Sequence, residues 1–82
     1  LNRALAVAEL RGIDAGRDAL AALEHNAKTA VYSFYWAARA DLERRAGNLA
    51  HARGHYHRAV ELAASRAERV SYERRLREIE IG

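Results

Sequence analysis

The chain has 82 residues, of which 50% are apolar, and carries 14 basic against 11 acidic residues, a net charge of +3 with histidines neutral. A chain of this length buries only about 60% of its unfolded surface, so a single thin core is the most it can build. It has no cysteine, which excludes disulfide and thiolate-metal staples and fits the cytoplasm; no apolar run approaches the roughly 18 residues of a membrane span, and no signal peptide is visible.

Proline is absent, the five glycines stand singly, and β-branched residues are few and scattered. The whole chain therefore reads as helical, with five helices expected. The first runs over about Asn2 to Arg11, with Leu1, Leu5 and Ala8 on one stripe, and stops at Gly12. The second starts at Asp14 as N-cap, buries Ala19, Leu20 and Leu23, and fades around His25 and Asn26. Gly16 in its first turn lowers its helix propensity.

The third helix is expected from about Thr29 to Gly47. Its first half, VYSFYWAARA, is apolar almost all round, the mark of a helix buried from more than one side. Phe34, Ala38 and Leu42 line one stripe and Trp36, Ala37 and Ala40 another, which makes this the central helix. The fourth begins after Asn48 and carries Leu49, Ala52, Tyr56, Ala59 and Ala63 at helical spacing. The fifth opens with Ser65-Arg66-Ala67-Glu68, a capping box in which serine and glutamate each satisfy a free amide, and turns Tyr72, Leu76 and Ile79 inward. Short connections imply antiparallel packing of successive helices.

Read as a pair, the third and fourth helices resemble one tetratricopeptide (TPR) unit. With Ser33 as first position, Trp36 takes the tryptophan place and Ala40 the small-residue place; Gly47 falls at the turn, followed by Ala52, Tyr56 and Ala59 in the second helix. Small residues let two helix backbones approach, and large ones fill the gaps beside them. Ala64 stands where the repeat usually closes with proline. The expected architecture is an all-α, five-helix, antiparallel TPR-like array: a degenerate pair over residues 1–30, a TPR-like unit over 31–64, and a capping helix over 65–82 that covers apolar surface otherwise open to water.

The segments LNRALAVAE (Leu1 to Glu9), AARADLERRAG (Ala37 to Gly47), and AER with ERRL (Ala67 to Leu76) occur in that order. Together they resemble the C-terminal helical extension of a group of bacterial extracytoplasmic-function RNA polymerase sigma factors. Glu43 and Ala46 fall where leucines would be expected. The resemblance implies a non-catalytic regulatory domain acting in transcription initiation. Its partners would be the upstream sigma regions, core RNA polymerase or a regulator, and DNA would be touched only by regions upstream of this chain. The start at Leu1 and the lack of methionine agree with a segment of a longer protein. In TPR stacks the first helix of each pair lines the concave surface, which carries over to Asn2, Glu9, Ala37, Asp41 and Arg44 as the partner-contact face.

Three of the four histidines fall in HARGHYHRAV, residues 51–60. His51 and His55 share a helix face at the spacing of two zinc ligands. No glutamate separates them, however, Arg58 follows on that face, and His57 points away, so neither a metal nor a cofactor is expected. A solvated or pH-responsive histidine surface remains. Catalytic residues are not expected either. Ser33 and Ser65 have structural assignments, no Gly-rich phosphate loop exists, and Asp41 and Glu43 lie two apart on a helix, facing different ways. Asp41 is expected to pair with Arg44 or Arg45.

All the basic residues but Lys28 are arginine, and they alternate with Glu and Asp over most of the chain, the pattern of a solvated surface. The RRLR run from Arg74 to Arg77 is flanked by Glu73, Glu78 and Glu80, so nucleic-acid binding is weakly supported. The aromatics Tyr32, Phe34, Tyr35 and Trp36 are expected in the core rather than on a base-stacking platform. The alternative to a sigma-factor domain is a generic TPR-like scaffold or oligomerisation module, a homodimer included.

Overall fold

The structure, a computed structural model, describes residues 1–81. It is all-helical among these residues: α1 (Asn2–Arg11), α2 (Ile13–Ala21), α3 (Ala27–Ala30), α4 (Ser33–Arg45), α5 (Leu49–Leu62) and α6 (Arg66–Ile81). Six helices thus replace the five expected. The additional one, α3, has four residues and owes its existence to Asn26, whose side chain accepts from the amides of Lys28 and Thr29 at 3.0 and 3.1 Å. Thr29, expected to open the central helix, sits inside this turn instead. The chain breaks at Val31, passes through extended Tyr32, and starts α4 at Ser33. Trp36 Nε1 donates to the Ala30 carbonyl at 2.8 Å, satisfying an acceptor at the end of α3 and fixing the break.

Helices α1 and α2 are joined through Gly12 alone. Its φ of 98° suits glycine; it closes α1 by donating its amide to the Ala8 carbonyl and N-caps α2, so Asp14 lies in the first turn rather than at the cap. An acidic residue there still favours the helix dipole. Gly16, expected only to weaken α2, has a packing role: a Cβ on it would fall 2.9 Å from the Cα of Ala8 and nearer still to the Ala8 Cβ.

Helix α4 is the hub. Leu42, Ala37, Ala38, Ala40, Tyr35 and Trp36 are all buried on it. It packs against α5, and Ala40 on α4 and Ala52, Tyr56 and Ala59 on α5 have no exposed surface. Tyr35 fills the space toward α2 and donates its hydroxyl to the Leu20 carbonyl at 2.6 Å. Burial in this position raises the tyrosine pKa. At the α4–α5 turn, Asn48 N bonds to Glu43 O at 2.8 Å and Gly47 N to Arg44 O at 3.0 Å, with Gly47 at φ 86°: a Schellman stop.

Helix α6 lays Tyr72 and Leu76 inward, with Ile79 partly buried beside them. Only half of the capping box forms. Ser65 Oγ accepts from Glu68 N at 3.1 Å, while the Glu68 carboxylate takes the Ser33 hydroxyl at 2.6 Å and so ties α6 to α4. Two of the four aromatics expected in the core are on the surface instead: Tyr32, at 53% exposure, lies in the extended break before α4, and Phe34, at 43%, lies in the first turn of α4.

Candidate functional site: a groove across α1, α4 and α6

Helices α4 and α6 run in the same direction, since Ser33 meets Glu68 at their beginnings and Arg44 lies beside Glu78 and Ile79 at their ends. Between them and α1 opens a groove of about 500 Å³. α4 contributes Phe34, Ala37, Ala38, Asp41, Leu42, Arg44 and Arg45; α1 contributes Leu5, Ala8 and Glu9; α6 contributes Arg75 and Glu78. Four of the five residues expected on the partner-contact face, Glu9, Ala37, Asp41 and Arg44, come together here. The fifth, Asn2, is exposed at the start of α1 and does not line the groove.

The groove has two unlike ends. Toward the start of α4 it is apolar, with Phe34 exposed and in contact range of Tyr32, their ring centroids 6.0 Å apart. Toward the end of α4 it is charged. Asp41 is held by Arg44 at 2.7 Å and by Arg45 at 3.0 Å, so both of its expected partners engage it at once. The Asp41 carboxylate raises the pKa of Arg44 and keeps it charged. The middle of the groove is alanine, which lets a ligand backbone approach the helices closely.

The residues from α6 were not foreseen as part of this surface. Arg75 and Glu78 each precede an inward residue, Leu76 and Ile79, by one position, so both border the stripe on the same side, and that offset is the signal by which they could have been found. On the opposite side of α4, Glu43 is buried, although a leucine was the natural expectation there. Its Oε2 accepts from Arg17 Nε at 2.9 Å and its Oε1 from Asn48 Nδ2 at 2.9 Å. The Arg17 guanidinium holds this carboxyl below the usual range, against the opposing effect of burial.

The histidines do not gather into a metal-ligand set, and no group of three or more His, Asp or Glu suited to a metal occurs among the described residues. His57 is exposed, His51 is exposed, and His55 is half-buried with its ring 5.6 Å from that of Trp36. No described helix is long and apolar enough to cross a membrane. No protein-family model, curated protein or solved structure matches the chain.

Proposed function

We propose that the chain is a non-catalytic, TPR-like protein-interaction domain that binds a partner segment in the α1–α4–α6 groove. The observation that carries this reading is the convergence of Glu9, Ala37, Asp41 and Arg44 in one groove with an aromatic end and a charged end. Pairing of α4 with α5 through fully buried Ala40, Ala52, Tyr56 and Ala59 supports the TPR-like arrangement, as does the position of α1, α4 and α6 along one surface. A groove with an exposed aromatic anchor and oriented arginines has the composition of binding hot spots. The ordered sequence motifs favour the sigma-factor setting, in which the partner would be the upstream sigma regions, core RNA polymerase or a regulator.

Two measurements test this. Deleting the segment from the full-length protein should alter polymerase-dependent transcription, and unchanged transcription under every inducing condition would count against the sigma-factor setting. Phe34→Ser together with Arg44→Glu should reproduce the deletion without unfolding the domain; a double variant that folds and behaves as wild type would remove the groove from the mechanism.

A second reading, a self-association module, is favoured by the contiguous exposure of Val31, Tyr32 and Phe34 at 64%, 53% and 43%. Sedimentation of the isolated chain across a hundredfold concentration range separates the two, because only self-association gives a concentration-dependent mass that Tyr32→Ser lowers.

A further inference from the structure

On the side of α4 away from the groove, α2, α4 and α5 enclose a cleft of about 310 Å³ lined by Arg17, Asp18, Arg39, Glu43, His51 and His55. Four groups able to carry positive charge thus converge from three helices. Their counter-charges are largely spent. Both oxygens of Glu43 are engaged, by Arg17 and Asn48. Glu24 is bonded to Arg39 Nη1 at 3.2 Å from outside the cleft lining, and Asp18 is exposed at the rim.

Arg39 is the best-fixed cation of the four. Its side chain is only 14% exposed, and its guanidinium lies over the Tyr35 and Trp36 rings at 5.9 and 5.5 Å. Among the described residues its hydrogen bonds are made by Nη1 alone, to Glu24 and to the Tyr35 hydroxyl. That leaves the Nε–Nη2 edge, the bidentate fork that suits an oxyanion. His55 lies against the same indole, and His51 is one turn before it on α5.

We propose that this cleft binds a tetrahedral oxyanion of the phosphate class, held by Arg39 with His51 and His55 and gated by protonation of the two imidazoles. Donors on several sides of the cleft call for more acceptor oxygens than the two of a carboxylate, which is why a tetrahedral anion is the better fit. The ion pairs Arg17–Glu43 and Arg39–Glu24 cancel and Asp18 adds one negative charge at the rim, so the positive charge that holds an anion must come from the histidines. Each histidine that charges then adds a donor and a positive charge facing Arg39. Burial and the neighbouring Arg39 lower the pKa of His55, assisted by His51 and opposed by Glu43 and Glu24. A bound anion offsets the repulsion from Arg39, so anion and proton bind cooperatively. The inference is independent of the groove, and either can fail without the other.

Sulfate is the probe, because its charge does not change between pH 7.5 and 5.5. Titrated into the 82-residue chain at constant ionic strength, it should shift the His51 and His55 imidazole resonances saturably. The affinity should be at least about fivefold higher at pH 5.5 than at pH 7.5, because lower pH favours the charged form of an imidazole. His51→Gln should lower that pH dependence and His51→Gln/His55→Gln should abolish it, with helicity retained. Inorganic phosphate should compete with sulfate, and acetate should bind more weakly than either. Absence of saturable shifts at pH 5.5, equal shifts with chloride, or a pH dependence unaltered in the double variant would overturn the site. Acetate binding as tightly as sulfate would overturn its tetrahedral assignment. His51 is exposed, so His51→Gln alone keeps the test valid if the double variant does not fold.

Discussion

The α4–α5 seam and the α1–α2 pair are built from similar residues but are held in different ways. In the seam, Ala40, Ala52, Tyr56 and Ala59 have no exposure at all, and the one buried polar atom there, the Tyr56 hydroxyl, has no hydrogen-bond partner among the described residues. In α1 and α2 only Ala4, Gly16 and Leu20 are buried, while Leu1, Leu5, Ala8, Ala19 and Leu23 are partly covered. This pair joins the hub through one apolar cluster, in which Ala4 and Leu20 pack with Tyr35, Trp36, Ala37, Ala38 and Leu42, and is tied down further by the Tyr35 hydroxyl on Leu20 and the Arg17–Glu43 ion pair. Wholly buried side chains resist opening together, whereas a pair whose apolar side chains are mostly only partly covered can open locally while the rest stays folded. In a molecule this small, global stability should therefore reside in α4 to α6 and local opening in α1 and α2.

The largest blow to the seam is Tyr56→Ala. Removing a fully buried aromatic costs about 3–5 kcal/mol, a large share of the total for a small domain. Urea unfolding should show the midpoint collapse, with every helix affected. Gly16→Val strikes the other region. Its side chain meets the Ala8 backbone, and overpacking of this kind costs about 1–3 kcal/mol. Hydrogen exchange should accelerate in α1 and α2 while α4 and α5 keep their protection; uniform acceleration would show that the two regions unfold as one.

Gly47→Ala tests the turn that closes the seam. Nothing lies within 4 Å of the added methyl, so the cost is that of holding a non-glycine residue at φ 86°, about 1–2 kcal/mol. The smallest effect at neutral pH is expected from Glu43→Gln, and its signature is a pH profile. The folded-state pKa of Glu43 is depressed by Arg17, so its contribution is full above the ordinary carboxyl value of 4.5 and is lost as pH falls through the folded value. Wild type should lose midpoint between pH 5 and pH 3 more steeply than the variant. His55 acts at higher pH with the same sign: its depressed pKa means that stability falls as pH drops below 6.5, and His55→Gln should flatten that decline.

Much of the seam was legible because it depends on spacing within single helices. Ala52, Tyr56 and Ala59 recur at helical intervals, Gly47 marks the turn, and Tyr72 and Leu76 mark the inner face of α6. The break at residues 31–32 was not legible. No glycine or proline marks it, and it depends on the Asn26 cap and on the Trp36 indole reaching back to Ala30. Phe34 was expected inside and is half outside. Glu43 stood out as a charge in an apolar place, but its partner Arg17 lies 26 residues earlier, and only the packing of α2 on α4 brings the two together. The groove was legible on α1 and α4, where each residue belongs to one helix face. The share contributed by α6 depends on how one helix lies beside another.

The chain has one tryptophan, and its position makes it an internal reporter. Trp36 is hydrogen-bonded to the carbonyl at the α3–α4 break, covered by the Arg39 guanidinium, and in contact with the His55 ring. Its emission wavelength follows solvent entry at the break. Its intensity follows the charge on His55, because an imidazolium quenches indole fluorescence more strongly than neutral imidazole does. One unlabelled optical signal therefore reports both solvent entry at the α3–α4 break and the charge on His55.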